Sequence, residues 1–228
     1  MDTKLDVIFV VDCNSSFDTQ RVNIQNILNE IVKRIKKSDD FYGFDISLSL
    51  VPFSNDVYVE NAFEFLPLEK IKGDLDLGAL GGLSNPGPAF EDVVKKALVR
   101  NDVWCADGEL CYHPAICFIT DGIHKLNEAY QVSYEKIAEY IREREAARKL
   151  NVFPIVVDGG SVDNVNLLTN HPERVLKVSD LTEFGEKFAN VFSEEYIVGS
   201  GCDFCHCVDR PIDPEIVKKM FGHSFGED

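Results

Sequence analysis

The sequence lacks any apolar stretch that approaches about 18 residues, the length at which a run becomes a candidate membrane-spanning helix. The first residues, MDTKLDVIFVVD, do not resemble a secretory signal peptide, because they contain no basic segment and because Asp6 and Asp12 interrupt the apolar residues. No internal repeat or low-complexity segment is evident. We therefore expect a cytoplasmic protein without a membrane anchor.

Basic residues are fewer than acidic residues. The 228 residues include 23 Lys and Arg against 39 Asp and Glu, a formal net charge of −16. Such a surface repels phosphate backbones and anionic lipids, so neither nucleic acid nor a membrane surface is expected as a partner. It favours a metal ion or a basic partner, although an ordinary soluble acidic protein would show the same charge.

Apolar periodicity predicts strands alternating with helices, which is typical of a doubly wound, mostly parallel α/β sheet. The predicted strands are 5–11, 44–52, 115–120, 152–157 and 174–178, and the predicted helices are 18–37, 88–100, 127–149 and 181–195. A short strand at 57–60 is predicted to form an antiparallel hairpin with 44–52, and 61–83 is predicted to be irregular. The composition changes at Gly199, so we assign 1–198 to one domain and 199–228 to a short Cys-containing tail.

Oxygen-bearing side chains follow predicted strands or precede predicted helices in three separated segments. They are Asp12, Asn14 and Ser16 in VIFVVDCNSS, Ser84 in GGLSNPG, and Asp121 in ICFITDG. A parallel sheet delivers its strand ends to one edge, where such oxygens could converge on one hard cation such as Mg²⁺. The alternative is structural: the first group caps the following helix, and Asp121 opens an ordinary turn.

This ordered set resembles the metal-ion-dependent adhesion site (MIDAS) of von Willebrand factor A (VWA) domains. That site is usually Asp-x-Ser-x-Ser in the first loop, Thr in the second and Asp in the third. The resemblance spans roughly residues 5–195. FITDG at 118–122, the Gly-Gly-x-Ser-Asn loop at 81–85 and the closing VLKVSDLTEFGEKFANVF segment are most similar to the bacterial TerY/YegL group.

The resemblance implies a Rossmann-like VWA fold with one antiparallel edge strand. It implies a divalent cation, usually Mg²⁺ (or Mn²⁺ or Ca²⁺), and a protein partner whose carboxylate completes the metal shell. It also implies a setting beside kinases and phosphatases, in tellurite-resistance or stress systems. Asn14 replaces the usual Ser and Ser84 the usual Thr, so we expect altered metal affinity. Both residues still offer an oxygen, but the Asn amide needs a neighbour to orient it.

Cysteines form a second group of candidate ligands. Zinc takes four ligands, and Cys202-x2-Cys205-His206-Cys207 supplies three thiols on one short segment. In the predicted fold the loop carrying Cys105 and Cys111 lies at the opposite edge from Asp12, where the last helix also ends. We therefore predict a zinc site drawing on Cys105, Cys111, Cys202, Cys205 and Cys207. Reduced thiols, or a disulfide or redox pair such as Cys202–Cys205, are the alternatives.

The binding-site motif favours a metal-dependent protein-interaction module over an enzyme. One alternative is a zinc- or redox-linked assembly protein whose Cys tail is the working part and whose metal edge is vestigial. The other is a metal-dependent phosphoesterase. Against the latter, the sequence shows no second carboxylate cluster, no nucleophile beside a histidine and no Gly-x4-Gly-Lys-Ser/Thr phosphate loop. Cys13 and Cys117 lie in apolar runs and are predicted to be core residues.

Overall fold

A computed structural model describes residues 3–14, 17–38, 43–54, 63–72, 75, 77, 81–82, 84–122, 128–157 and 161–198. Its strands are β1 (Thr3–Asp12), β2 (Phe44–Phe53), β3 (Phe63–Pro67), β4 (Ala115–Thr120), β5 (Asn151–Val157) and β6 (Leu176–Val178). Its α-helices are α1 (Phe17–Lys37), α2 (Pro86–Ala106), α3 (Glu128–Ala146) and α4 (Leu181–Ser193). Single helical turns occur at Leu68–Lys70, Val165–Leu168, Pro172–Arg174 and Glu194–Val198.

The strands form one sheet in the order β3-β2-β1-β4-β5-β6. β3 runs antiparallel to β2, and the other neighbours are parallel. This confirms the doubly wound, mostly parallel α/β sheet with one antiparallel edge strand, a VWA-like fold. The direction of strand addition reverses between β1 and β4, and in such sheets ligands bind beyond the carboxyl ends of the strands at that point.

The position of the edge strand differs from the prediction. The antiparallel strand is Phe63–Pro67, inside the stretch that was predicted to be irregular, and residues 57–60 lie outside the described part. The pairing with β2 contains a register shift between Leu48 and Leu50, and Phe65 has a φ of +47°. The strand has only five residues and ends at Pro67, so it offers few positions from which alternation can be recognised in the sequence.

Both faces of the sheet are covered by helices. Leu5, Val7 and Phe9 of β1 share one buried cluster with residues of α1 and α4. Ile8 and Val10, on the other face, share a second cluster with residues of α2 and α3. β1 is therefore buried on both sides, which explains its nearly continuous apolar sequence.

Helix ends follow local capping chemistry. α2 begins earlier than predicted, at Pro86, which has no backbone donor to leave unsatisfied, and it runs on to Ala106. Gly108, with a φ of +75°, turns the chain back towards β4. α4 begins after Asp180, whose carboxylate accepts hydrogen bonds from the Thr182 and Glu183 amides at 2.9 Å each. Among the described helices, none has the length and apolarity of a membrane span.

Candidate metal centre

The carboxyl ends of β1 and β4 lie side by side at the reversal point of the sheet. Asp12 is the last residue of β1, and Asp121 directly follows β4. Ser84 lies just before α2, in a segment tied to the end of β2 by the Asn85 amide, which donates to the Ser54 carbonyl oxygen at 2.9 Å. Strand ends and a helix start thus bring three distant segments to one edge.

Asp12 has two chemically different oxygen atoms. Its Oδ2 accepts hydrogen bonds from the Ser84 hydroxyl at 2.9 Å and from the Thr120 hydroxyl at 3.0 Å. Its Oδ1 is buried and accepts no hydrogen bond from any described residue. The side chain as a whole is 1 % exposed. A buried carboxylate oxygen without a donor is costly, so this atom calls for a cation or proton.

Burial also changes the acidity of Asp12. Loss of solvation raises its pKa to about 6, and the nearby Asp121 carboxylate contributes to the increase. The hydrogen bonds from Ser84 and Thr120 lower the pKa, and the nearby Asn14 backbone amide lowers it as well. The pKa rises because burial removes water from around the carboxylate anion, and this costs free energy. A bound cation would offset that cost.

Asn14 is oriented by Asp121. Its Nδ2 donates to Asp121 Oδ1 at 3.2 Å, and its side chain is buried. An amide that donates through its nitrogen still carries its carbonyl oxygen, an atom that hard cations accept. The neighbour that this amide needs is therefore a carboxylate of the same edge.

The backbone around these side chains is held by ordered hydrogen bonds. The Cys13 amide donates to the Phe53 carbonyl oxygen at 2.7 Å, which fixes the turn after β1 against β2. The Gly122 amide donates to the Thr120 hydroxyl at 3.1 Å, so Thr120 links the turn after β4 to Asp12. The carboxylates are thus supported by side chains 72 and 108 residues away from Asp12, which local helix capping does not require.

The donor set fits a hard cation. It combines two carboxylates with a hydroxyl, which retains lone pairs when it donates, and an amide. Within the described ranges, no group of three or more His, Cys, Asp or Glu side chains converges as a metal site. This edge would therefore hold a metal through mixed oxygen ligands, the chemistry of Mg²⁺, Mn²⁺ or Ca²⁺.

The structure brings Asp12, Asn14, Ser84 and Asp121 to one edge, and Ser16 lies outside the described residues. Thr120 was not singled out from the sequence, although it contacts Asp12 directly. The available signal was its place as the last residue of a buried strand, next to a candidate ligand. A hydroxyl there is fully buried and needs a partner.

The cysteines divide between the core and the opposite edge. Cys13 and Cys117 are fully buried, as predicted, and burial raises the pKa of both thiols. The Sγ atoms of Cys105 and Cys111 lie 3.3 Å apart near the amino end of β1. Cys202, Cys205 and Cys207 lie outside the described residues.

Comparison with known proteins identifies the type of fold. No family model matches the sequence, and no curated protein matches it. Proximal thread matrix protein 1 from the mussel byssus superposes with a TM-score of 0.55 at 14% identity, over 84% of this chain and 46% of that one. Its form with a zinc-occupied MIDAS motif gives 0.56 at 15% identity, over 84% and 46%.

The pilus adhesin SpaC from Lactobacillus rhamnosus GG gives a TM-score of 0.55 at 11% identity, over 85% of this chain and 30% of that one. The chain thus spans less than half the length of these proteins. They are VWA-domain proteins, and the likeness establishes a VWA-like fold for this chain.

Proposed function

We propose that this chain is a VWA-type protein-interaction module that holds a divalent cation, Mg²⁺ in the first place, at the carboxyl edge of its sheet. Asp12, Asn14, Ser16, Ser84 and Asp121 would provide the ligands. The observation that carries the proposal is Asp12 Oδ1, a buried carboxylate oxygen without a donor among the described residues. The zinc-occupied MIDAS motif of the mussel protein supports a divalent cation at such an edge in general.

A cation at this edge would stabilise several groups at once. It would be coordinated by Asp12 Oδ1, and it would offset the repulsion between the Asp12 and Asp121 carboxylates. Ser84 already donates to Asp12, so its oxygen is held beside the carboxylate with lone pairs to spare. Thr120 and Gly122 act as supports that hold Asp12 and the turn in place.

The proposed shell is suited to binding a protein partner. Mg²⁺ holds about six oxygen ligands and keeps several waters, so one position would be open to a partner's carboxylate. With a net charge of −16, the protein as a whole would repel an acidic partner, and the cation would attract the partner's carboxylate locally. Recognition would therefore depend on the metal.

The finer assignment rests on sequence resemblance. The FITDG segment at 118–122 and the loop at 81–85 support the TerY/YegL type, a cytoplasmic location and a role beside kinases or phosphatases in a stress or tellurite-resistance system. The acidic charge supports a protein partner rather than a nucleic acid or a membrane surface.

Calorimetric titration of chelator-treated protein with Mg²⁺ and then Mn²⁺ tests the proposal. Wild type should show saturable binding. Asp121→Ala should weaken it at least about tenfold, since loss of a ligand carboxylate costs more than the ~1.4 kcal/mol that one factor of ten represents. Asp107→Ala, which removes an exposed carboxylate after α2, is the matched control and should bind like wild type. Equal binding by all three proteins, or none by wild type, would overturn the proposed cation site.

A second experiment tests the partner. Immobilised wild type, Asp121→Ala and Asp107→Ala would be offered the same cell extract with Mg²⁺ or with chelator. A partner of this edge should be retained by wild type and Asp107→Ala with Mg²⁺ alone, and substitution of one of its acidic residues should release it. A partner retained equally in chelator would show that binding does not use the cation.

A further inference from the structure

Asn85 carries a second buried oxygen atom without a donor at the carboxyl edge of the sheet. Within the described part of the chain, three buried side-chain oxygens accept no hydrogen bond, and they belong to Asp6, Asp12 and Asn85. Asp6 lies within β1, whereas Asp12 ends β1 and Asn85 stands directly before α2, next to the proposed ligand Ser84. Buried oxygens without a donor are rare in folded proteins, so two at one edge indicate a bound group that supplies the missing partners.

The backbone holds Asn85 in the oxygen-rich edge from two sides. Its neighbour Ser84 donates through the hydroxyl to Asp12 Oδ2 at 2.9 Å. The Asn85 amide donates to the carbonyl oxygen of Ser54, a buried residue just beyond β2, at 2.9 Å. Asn85 is thereby anchored to Asp12, through Ser84, and to the end of β2.

Asn85 occupies the N-cap position of α2 but does not cap the helix. The oxygen of an N-cap side chain usually accepts from the amide of the second or third helical residue. The third residue of α2 is Pro88, which has no amide hydrogen, and the Asn85 side chain makes no capping hydrogen bond. Helix capping therefore does not account for the Asn85 side chain.

Close packing fixes the first turn of α2. A Cβ atom at Gly87 would lie 2.4 Å from Ser133 Oγ, so this turn approaches α3 more closely than any side chain would allow. Pro86 and Ala89, on the same turn, are buried. The segment that carries Asn85 is therefore firmly seated, and its buried oxygen belongs to a fixed part of the fold.

We propose that Asn85 is a further residue of the cation site, where its Oδ1 accepts a hydrogen bond from a water molecule held by the cation; this inference rests on the proposed function. Mg²⁺ keeps several waters when a protein binds it, and those waters need acceptors. The carboxylate of Asp12 suits direct contact with the cation, whereas a neutral amide oxygen suits a polarised water. Asn85 would thus be a positioning residue that orients the shell of the metal.

A buried water that is unrelated to the cation is the competing partner for Asn85 Oδ1. Such a water would satisfy the oxygen equally well, but its loss would leave the affinity for the metal unchanged. The two possibilities therefore differ in a measurable way.

Calorimetric titration of chelator-treated protein with Mg²⁺ tests the proposal. Asn85→Ala should weaken binding about tenfold or more, which is typical when a residue that supports a metal shell is removed. Asn190→Ala, which removes an exposed amide from the last turn of α4, is the matched control and should bind like wild type. Asn85→Asp keeps an acceptor oxygen at this position and should bind at least as tightly as wild type.

Urea unfolding separates this role from a purely structural one. Asn85 Oδ1 has no donor among the described residues, so Asn85→Ala should leave the unfolding midpoint of chelator-treated protein unchanged. In Mg²⁺ the variant should unfold at a lower urea concentration than wild type, because weaker binding adds less stability. A midpoint lowered equally with and without Mg²⁺ would show a structural role and overturn the proposal.

Failure of this proposal can be told apart from failure of the cation site. If wild type does not bind Mg²⁺, both are wrong. If wild type binds Mg²⁺ and Asp121→Ala binds it weakly, but Asn85→Ala binds like wild type, the cation site stands and the role of Asn85 is wrong. Binding by Asn85→Asp as weak as that by Asn85→Ala would also contradict that role, since the acceptor oxygen would not be what matters.

Discussion

At the residue scale, the asymmetry of Asp12 is the feature with the clearest functional meaning. One oxygen is held by two hydroxyl donors, and the other has no donor among the described residues. Hydrogen bonds to Oδ2 fix the orientation of the carboxylate and therefore direct Oδ1. This is the arrangement that a positioned metal ligand needs before its metal arrives.

Thr120 tests that support. Thr120→Val keeps the shape of the side chain but removes the hydroxyl that donates to Asp12 and accepts from the Gly122 amide. We expect a loss of about 1–3 kcal/mol in the free energy of unfolding, because buried polar atoms lose their partner. Urea unfolding would measure it, with Thr182→Val, at an exposed position of α4, as the control. An unchanged midpoint would show that Thr120 does not support Asp12.

Asp6 is a second buried carboxylate, at 1 % exposure, and it accepts from Arg100 Nε at 2.9 Å. Burial raises its pKa from 3.8 to about 7, although the Arg100 charge opposes the increase. The native state therefore keeps a proton that the unfolded chain releases above about pH 4. The stability gained from this proton is full below about pH 4 and is lost as pH rises towards 7.

The free energy of unfolding should accordingly fall between about pH 4 and 7, by at most about 1.4 kcal/mol per pH unit from this one group. Asp6→Asn should remove that part of the slope. Asp92→Asn, at an exposed pair with Lys96, should leave it in place. Chemical unfolding at a series of pH values checks this, and parallel curves for wild type and Asp6→Asn would contradict it.

At the scale of elements, Glu145 links the end of α3 to the segment that precedes β6. It is 4 % exposed, and it accepts from the Asn170 amide at 2.6 Å and from the Thr169 hydroxyl at 2.9 Å. Arg174 donates to it at 3.2 Å and also contacts Glu195, in the turn that leads to the tail. One carboxylate thus connects a helix, the segment before β6 and, through Arg174, the turn at Glu194–Val198.

Glu145→Ala should destabilise the protein by about 2–4 kcal/mol, because the buried Thr169 hydroxyl and the Asn170 amide lose their acceptor and Arg174 loses one of its two carboxylate partners. Glu143→Ala, which removes an exposed carboxylate from the same helix, should change stability by no more than about 0.5 kcal/mol. Thermal or urea unfolding of both variants measures the difference. A small effect of Glu145→Ala would show that the contact between Arg174 and Glu195 is sufficient by itself.

At the scale of the whole molecule, the net negative charge affects how cations change the stability of the protein. A net charge of −16 destabilises the compact state by self-repulsion, so any salt should raise the melting temperature. A cation bound to the native edge adds stability, about 2.7 kcal/mol at a concentration one hundred times its Kd. MgCl₂ should therefore raise the melting temperature more than NaCl at equal ionic strength. Asp121→Ala should respond equally to both salts, and an equal response of wild type would show screening alone.

The sequence by itself determined the alternation of strands and helices and the position of the candidate oxygen ligands at strand ends. These follow from local periodicity and from the rule that parallel strands end at one edge. Tertiary structure decided what local pattern does not encode. It placed the edge strand at Phe63–Pro67, a five-residue strand that is too short to show a clear alternation in sequence. It also added Thr120 to the supports of Asp12, 108 residues away. Contacts of that kind depend on how distant strands pair, and pairing is settled only when the whole core packs.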